Sequence, residues 1–184
     1  MPMNFSLNEN QSVIREAIQG YVRSEVMPHA EAWDAAASLA PESMNALAEL
    51  GMLGVMIGEG YDGVGLGLLD ASLVLAQIAR GDGGLAVAMA NHAVVAAPLV
   101  ESFASEVQRS EWLPKFAMGE ALAACAISES GDPCLDGLDT QALEGPEGWV
   151  LEGAKRLVPL GSLADVFLVA ARIADGEAGV FLVP

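Results

Sequence analysis

Positive charge is what this chain has least of. Its 184 residues carry 8 Lys and Arg against 25 Asp and Glu, for a formal net charge of −17. Such a surface repels nucleic acid and anionic membranes, so neither is expected as a partner. An anionic ligand would need locally aimed donors: backbone N–H groups, or a single Lys or Arg. Cysteine is scarcer still. Cys125 and Cys134 stand alone, with no second Cys or His pair nearby, and a metal site is not expected. The N-terminus lacks a basic region followed by an apolar run. No signal peptide is therefore expected, and a reduced, cytoplasmic setting is the default. Internal repeats and low-complexity linkers are also missing.

Apolar residues are plentiful at 53%, enough for a sizeable core. Much of that share is alanine, which favours helix and close packing over bulky core layers. A chain of this length allows one ordinary domain, or one domain and part of another.

The first two-thirds read as helices. Ser6-Leu7-Asn8-Glu9 has the form of a capping box. Val13, Ile14, Ala17, Ile18, Tyr21, Val22 and Val26 then follow as one apolar stripe at helical period, with Pro28 marking the end. Pro41 and Glu42 suit the start of a helix carrying Met44, Leu47, Ala48 and Met52. Gly58 to Gly67 is a glycine-rich loop with no strand–turn–helix context. It reads as a compact turn rather than a dinucleotide site.

Leu69 to Arg80 is a further helix. Leu85 to Phe103 is another, hydrophobic nearly all round, with Pro98 expected to kink or break it. Its alanines, Asn91 and His92 suit a buried helix better than a membrane span. Ser105 caps a helix expected to run through Trp112, and Pro114 begins a turn reaching Met118.

After Gly119 the hydrophobic period changes. Strands are expected at 121–128, 148–153, 154–159, 165–173 and 178–183, with a tight turn at Glu152-Gly153. The fold class expected is α+β: an N-terminal all-α helical bundle over 1–119, then a partial antiparallel β-domain over 120–184.

Several segments occur in an order that resembles the acyl-CoA dehydrogenase family. They are Leu50-Gly51-Met52-Leu53-Gly54-Val55, the loop at Tyr61-Asp62-Gly63-Val64-Gly65, Ala79-Arg80-Gly81-Asp82, and Trp112 through Glu120. Ala123 to Gly131, Trp149 to Arg156, Asp165 to Ala171 and Phe181-Leu182-Val183-Pro184 continue it. The resemblance implies flavin-dependent α,β-desaturation of an acyl-CoA thioester, with FAD as cofactor, acyl-CoA as substrate and an oligomeric enzyme. It places Cys125, Ile127, Ser128, Leu157 and Pro159 at the cofactor, and His92 and Cys134 at the substrate.

The pattern also departs from the family. Cys125 stands where an aromatic is usual, and Leu157 to Gly161 replace the Trp and Thr that follow the Lys-Arg turn. Pro159 has neither N–H nor hydroxyl to donate. No segment matches the family's C-terminal bundle, which carries the catalytic carboxylate. No catalytic residue is therefore assigned, and the β-domain is expected to be incomplete. An alternative is a flavin-free partner or structural subunit of an acyl-CoA dehydrogenase-like complex.

Other readings compete at single residues. The cysteines suit small buried hydrophobes, His92 a hydrogen-bonded core histidine, and His29 a surface residue. Lys155 and Arg156 suit strand-surface charges or contacts to a CoA or flavin phosphate.

Overall fold

The computed structural model describes residues 6–39, 41–129, 138–146, 148–173 and 177–184. The chain divides into two compact units, Met1–Gly119 and Glu120–Pro184.

The first unit is helical. Helix α1 (Glu9–Tyr21) is capped by Asn8, whose side chain accepts from Gln11 N while the Gln11 side chain accepts from Asn8 N. The capping box thus sits two residues beyond the one expected from Ser6. Helix α1 runs into a π-helical segment, Val22–Val26, in which Met27 N bonds Val22 O. The wider turn keeps Ile18, Val22 and Val26, spaced by four, on one buried face. Val13 and Ala17 fall off that face and are exposed, so the buried stripe is narrower than expected.

A short helix α2 (Ala30–Ala36) follows, where no element was expected. Then come α3 (Pro41–Glu49) and α4 (Leu68–Ile78). Between them the glycine-rich loop folds back on the 54–57 segment. Val64 N bonds Gly54 O, Gly65 N bonds Ile57 O and Leu66 N bonds Val55 O. Glu101 accepts from Gly58 N, and Glu106 accepts from the Tyr61 hydroxyl.

Gly83–Phe103 is one continuous helix built of α5 (Gly83–Met89), a π-helical stretch (Ala90–Ala96) and α6 (Ala97–Phe103). Pro98 does not break it. Proline cannot donate the α-helical bond to the carbonyl four residues back. The wider turns just before it, closed by Ala97 N to His92 O, absorb that loss. This helix is long and apolar enough to cross a membrane, but half of its apolar window is buried within the protein. Helix α7 (Glu106–Met118) has a capping box at Ser105 and Gln108, and it carries Pro114 inside it rather than stopping at Trp112. Met44, Leu47, Leu53, Ile57, Ile78, Leu85, Leu113 and Phe116 form the core of this unit.

The described residues of the second unit form a five-stranded sheet: β1 (Ala123–Ala126), β2 (Gln141–Gly145), β3 (Gly148–Glu152), β4 (Val166–Arg172) and β5 (Ala178–Val183). The α+β order stands, but the sheet is mixed rather than antiparallel throughout. Strand β4 runs parallel to β1 and touches β2 in parallel at Gln141 and Arg172, while β4–β5 and β2–β3 are antiparallel.

Two sequence expectations fail here. The strand expected at 154–159 is irregular backbone, with Leu157 at φ 52 and Leu160 at φ 66. Left-handed backbone breaks a ladder, and Pro159 has no N–H to offer one. The antiparallel partner of β3 is instead β2, paired with it from Gly145 and Gly148 to Gln141 and Glu152, so no hairpin turns at Glu152-Gly153.

Candidate functional site at the exit of β1

The apolar strand β1 pairs with β4 from Ala123 to Ala126 and ends there. Ile127, Ser128 and Glu129 leave the sheet together. Two segments are tied to them. Arg156 N donates to Ser128 O at 2.8 Å, and Lys155 Nζ donates to Ile127 O at 3.2 Å. The Glu129 carboxylate accepts from Thr140 N at 3.0 Å, from Asp139 N and from Lys155 Nζ. One side chain thus ties the backbone at Asp139 and Thr140 to the strand exit and anchors the segment after β3.

This ion pair is buried: the Lys155 and Glu129 side chains are 10% and 6% exposed. Lys155 is therefore not the strand-surface charge that sequence suggests. Burial alone would raise the Glu129 pKa; the Lys155 ammonium and the Asp139 and Thr140 amides more than offset it and hold the carboxyl at about 2.

Gly153 lets the arrangement close. A Cβ there would lie 2.6 Å from the Thr140 Cα, so no other residue permits this approach of backbone to backbone.

The sequence-derived cofactor residues are placed as follows. Cys125 is a buried thiol within β1, and burial pushes its pKa up, which suppresses the thiolate. Ile127 and Ser128 are half-buried at the strand exit. The amide and hydroxyl of Ser128 make no hydrogen bond to another described residue, so two donors stand together at this point. Leu157 is 89% exposed in its left-handed turn, and Pro159 is half-buried beside it.

Of the substrate residues, His92 lies in the core of the helical unit. It is fully buried, its Nε2 lies 3.2 Å from Phe116 O, and its ring meets the Phe116 ring edge-on. Cys134 lies outside the described residues. His29 is exposed, as expected.

Glu129 stood in sequence only as one residue of the family-like run Ala123 to Gly131. Its role depends on Lys155, Asp139 and Thr140, which no local pattern connects to it. The left-handed turn at Leu157 is open to a direct check. Such a conformation costs a β-carbon-bearing residue about 1 kcal/mol. Leu157→Gly is expected to stabilise the second unit by about that amount in chemical denaturation; a loss of stability would show that the leucine side chain is held by contacts.

The chain belongs to the acyl-CoA dehydrogenase family. Residues 8–120 match the model of the acyl-CoA dehydrogenase N-terminal domain. The (2S)-methylsuccinyl-CoA dehydrogenase of Cereibacter sphaeroides is 30% identical over 168 residues, covering 90% of this chain and 30% of that protein. The long-chain specific acyl-CoA dehydrogenase of Sus scrofa is 27% identical, covering 89% of this chain and 38% of that protein. The glutaryl-CoA dehydrogenase of Mycobacterium smegmatis, solved in complex with FADH2, aligns at a TM-score of 0.90 and 28% identity, covering 97% of this chain and 46% of that one. The chain thus spans less than half the length of these relatives.

Proposed function

We propose that this chain forms the N-terminal helical domain and the first part of the middle β-domain of a flavin-dependent enzyme that desaturates an acyl-CoA thioester. The observation that carries the reading is Ser128. In a chain of this family its amide and hydroxyl, which bond no other described residue, stand at the exit of β1, where the resemblance sets the flavin ring. Bound flavin would supply the hydride acceptor for the β-carbon. The chain's own part is to hold and orient. Ser128 offers two donors to a ring carbonyl. Glu129 and Lys155 lock the backbone on either side of it.

The fit is partial. Leu157 and Pro159 offer neither a stacking ring nor a donor. Loss of an aromatic plate costs about 1 kcal/mol, and each missing polar contact a comparable amount. FAD titrated into the 184-residue chain is therefore expected to bind weakly, with a Kd above about 10 μM, and Ser128→Ala should weaken it further. Tight stoichiometric quenching of flavin fluorescence would show that Leu157 and Pro159 do not limit affinity. The same chain is expected to show no acyl-CoA-dependent reduction of an electron acceptor.

A second reading is a flavin-free structural subunit beside a catalytic chain. The exposed Leu157 supports it, as do the apolar side chains of Phe103 and Val107, 83% and 76% exposed. Both readings include assembly into an oligomer and a cytoplasmic setting. No FAD binding at any concentration would favour the second.

A further inference from the structure

Aromatic residues make up 5% of this chain: three Trp, two Tyr and five Phe, with two His besides. One Trp, one Tyr and one His gather around a single open cleft of about 320 Å³ in the helical unit. The π-helical segment that extends α1 sets Tyr21 and Glu25 on its wall. Helix α2 begins just after, and its His29 and Trp33 stack with ring centroids 5.8 Å apart and planes 18° from parallel. The first turn of α3 closes the cleft with Glu42.

None of the three rings is a core residue. Tyr21 and Trp33 are half-buried and His29 is exposed. The His29 ring is set by its Nδ1, 2.8 Å from the Glu25 carbonyl oxygen, and by its stack on Trp33 four residues on, so local bonds rather than burial hold it at the cleft. The charges around the rings are of one sign. Glu25 and Glu42 line the cleft, no Lys or Arg does, and neither glutamate joins an ion pair among the described residues. Burial, and then the Glu25 carboxylate, hold the Tyr21 pKa above its ordinary value, so the phenol stays a neutral donor and acceptor.

The chemistry of these walls selects a ligand. Aromatic faces carry negative quadrupole potential and attract organic cations, Trp most strongly. Two carboxylates beside them add charge and hydrogen-bond acceptors. An anion is repelled, and a neutral apolar molecule leaves the carboxylates without gain. A small metal ion would make no use of the rings. A cleft of this volume lies at the low end of small-molecule sites.

From the meeting of Trp33, His29 and Tyr21 with Glu25 and Glu42 in one cleft, we infer a binding site for an alkylguanidinium or alkylammonium cation. It lies wholly within the helical unit and is independent of the β1 exit. The cation has two sources: a free small molecule, or the Arg or Lys side chain of a partner protein.

The test compares charge at constant shape. Butylguanidine and its neutral isostere butylurea are titrated into the intact 184-residue chain by calorimetry, with the NMR signals of the Trp33 indole and His29 ring followed in parallel. Butylguanidine is expected to shift both signals and to bind at least about tenfold more tightly than butylurea. The E25Q/E42Q double variant should lose about tenfold in affinity for butylguanidine, and Trp33→Leu a comparable factor. An arginine-bearing dipeptide amide separates the sources: tighter binding of the peptide identifies a partner side chain, and tighter binding of butylguanidine a free cation. Equal binding of butylguanidine and butylurea, or signals at Trp33 and His29 that do not move, would overturn the inference. The isostere comparison uses the unaltered chain, so it decides the matter even if a variant fails to fold.

Discussion

Replacing Glu129 with Gln is expected to remove about 3 kcal/mol from the stability of the β-sheet unit. The reason is what the substitution leaves behind. The Lys155 ammonium stays buried at 10% exposure with only the Ile127 carbonyl left to it among the described residues, and the Asp139 and Thr140 amides face a neutral group. Breaking one side of a buried pair costs more than the pair contributes, because the stranded charge retains its desolvation penalty. Lys155→Met should be comparably harmful for the mirror-image reason. The E129Q/K155M double variant should lose less than the sum of the two, since it strands no charge.

The pH dependence has a definite sign. The Glu129 carboxyl sits at about 2 in the folded chain against 4.5 ordinarily, so the folded state favours the ionised form. The stability it contributes is present in full above 4.5 and is lost as pH falls from there toward 2. Denaturant melts of the wild type should weaken through that window, while those of E129Q lose this component. Identical acid profiles for the two proteins would show that Glu129 is not the group responsible.

Gly63→Ala is the second substitution expected to be severe, at about 3 kcal/mol or more. A Cβ at Gly63 would lie 2.0 Å from the Ile57 carbonyl oxygen and 2.4 Å from its carbon. No side-chain rotation relieves that clash, because the obstacle is backbone. Nor can the backbone retreat cheaply, since the Ile57 carbonyl also accepts from Gly65 N and the loop on either side is bonded to Gly54 and Val55. Gly60→Ala, in the same loop with open space at its Cβ position, is the control and should be nearly neutral. Thermal unfolding of the two variants would settle it: equal melting temperatures would mean that the loop is not the tight fold described above.

The contrast between these glycines shows what sequence can carry. The glycine-rich segment reads correctly as a compact turn, yet nothing local distinguishes Gly63 from Gly60. Helices were legible because their signals are local: an apolar stripe, a cap at Ser105, a hydrophobic run from Leu85. Helix α2 was not, because the alanines after His29 carry no stripe and bury no residue in the described structure. In the sheet, β1, β3, β4 and β5 announce themselves as apolar runs. Strand β2, Gln-Ala-Leu-Glu-Gly, has no such signal, and its pairing is made by β3 and by one contact with β4. The irregular segment, expected as a strand over 154–159, misled in the opposite way. Leu157 and Val158 look like strand residues, while the backbone there follows Lys155, which is drawn toward Glu129 across 26 residues of chain. The candidate site was legible only as far as the family resemblance reached, to Ser128; Glu129 and its partners were not.

The central position of β4 has a consequence for how the sheet assembles. Two of its pairings are local: β2 with β3, and β4 with β5, each joining neighbours in the chain. The third is not. Ala123 meets Val166 in parallel register, and everything between them must be threaded before the first rung forms. Closing so long a loop is paid in chain entropy before any contact rewards it. The two hairpins are thus the quick events, and docking β1 onto β4 is the slow one. Until it happens, the apolar strand Ala123–Ala126 has both edges bare. The interval before docking, rather than the finished fold, is therefore when this unit is most exposed to aggregation.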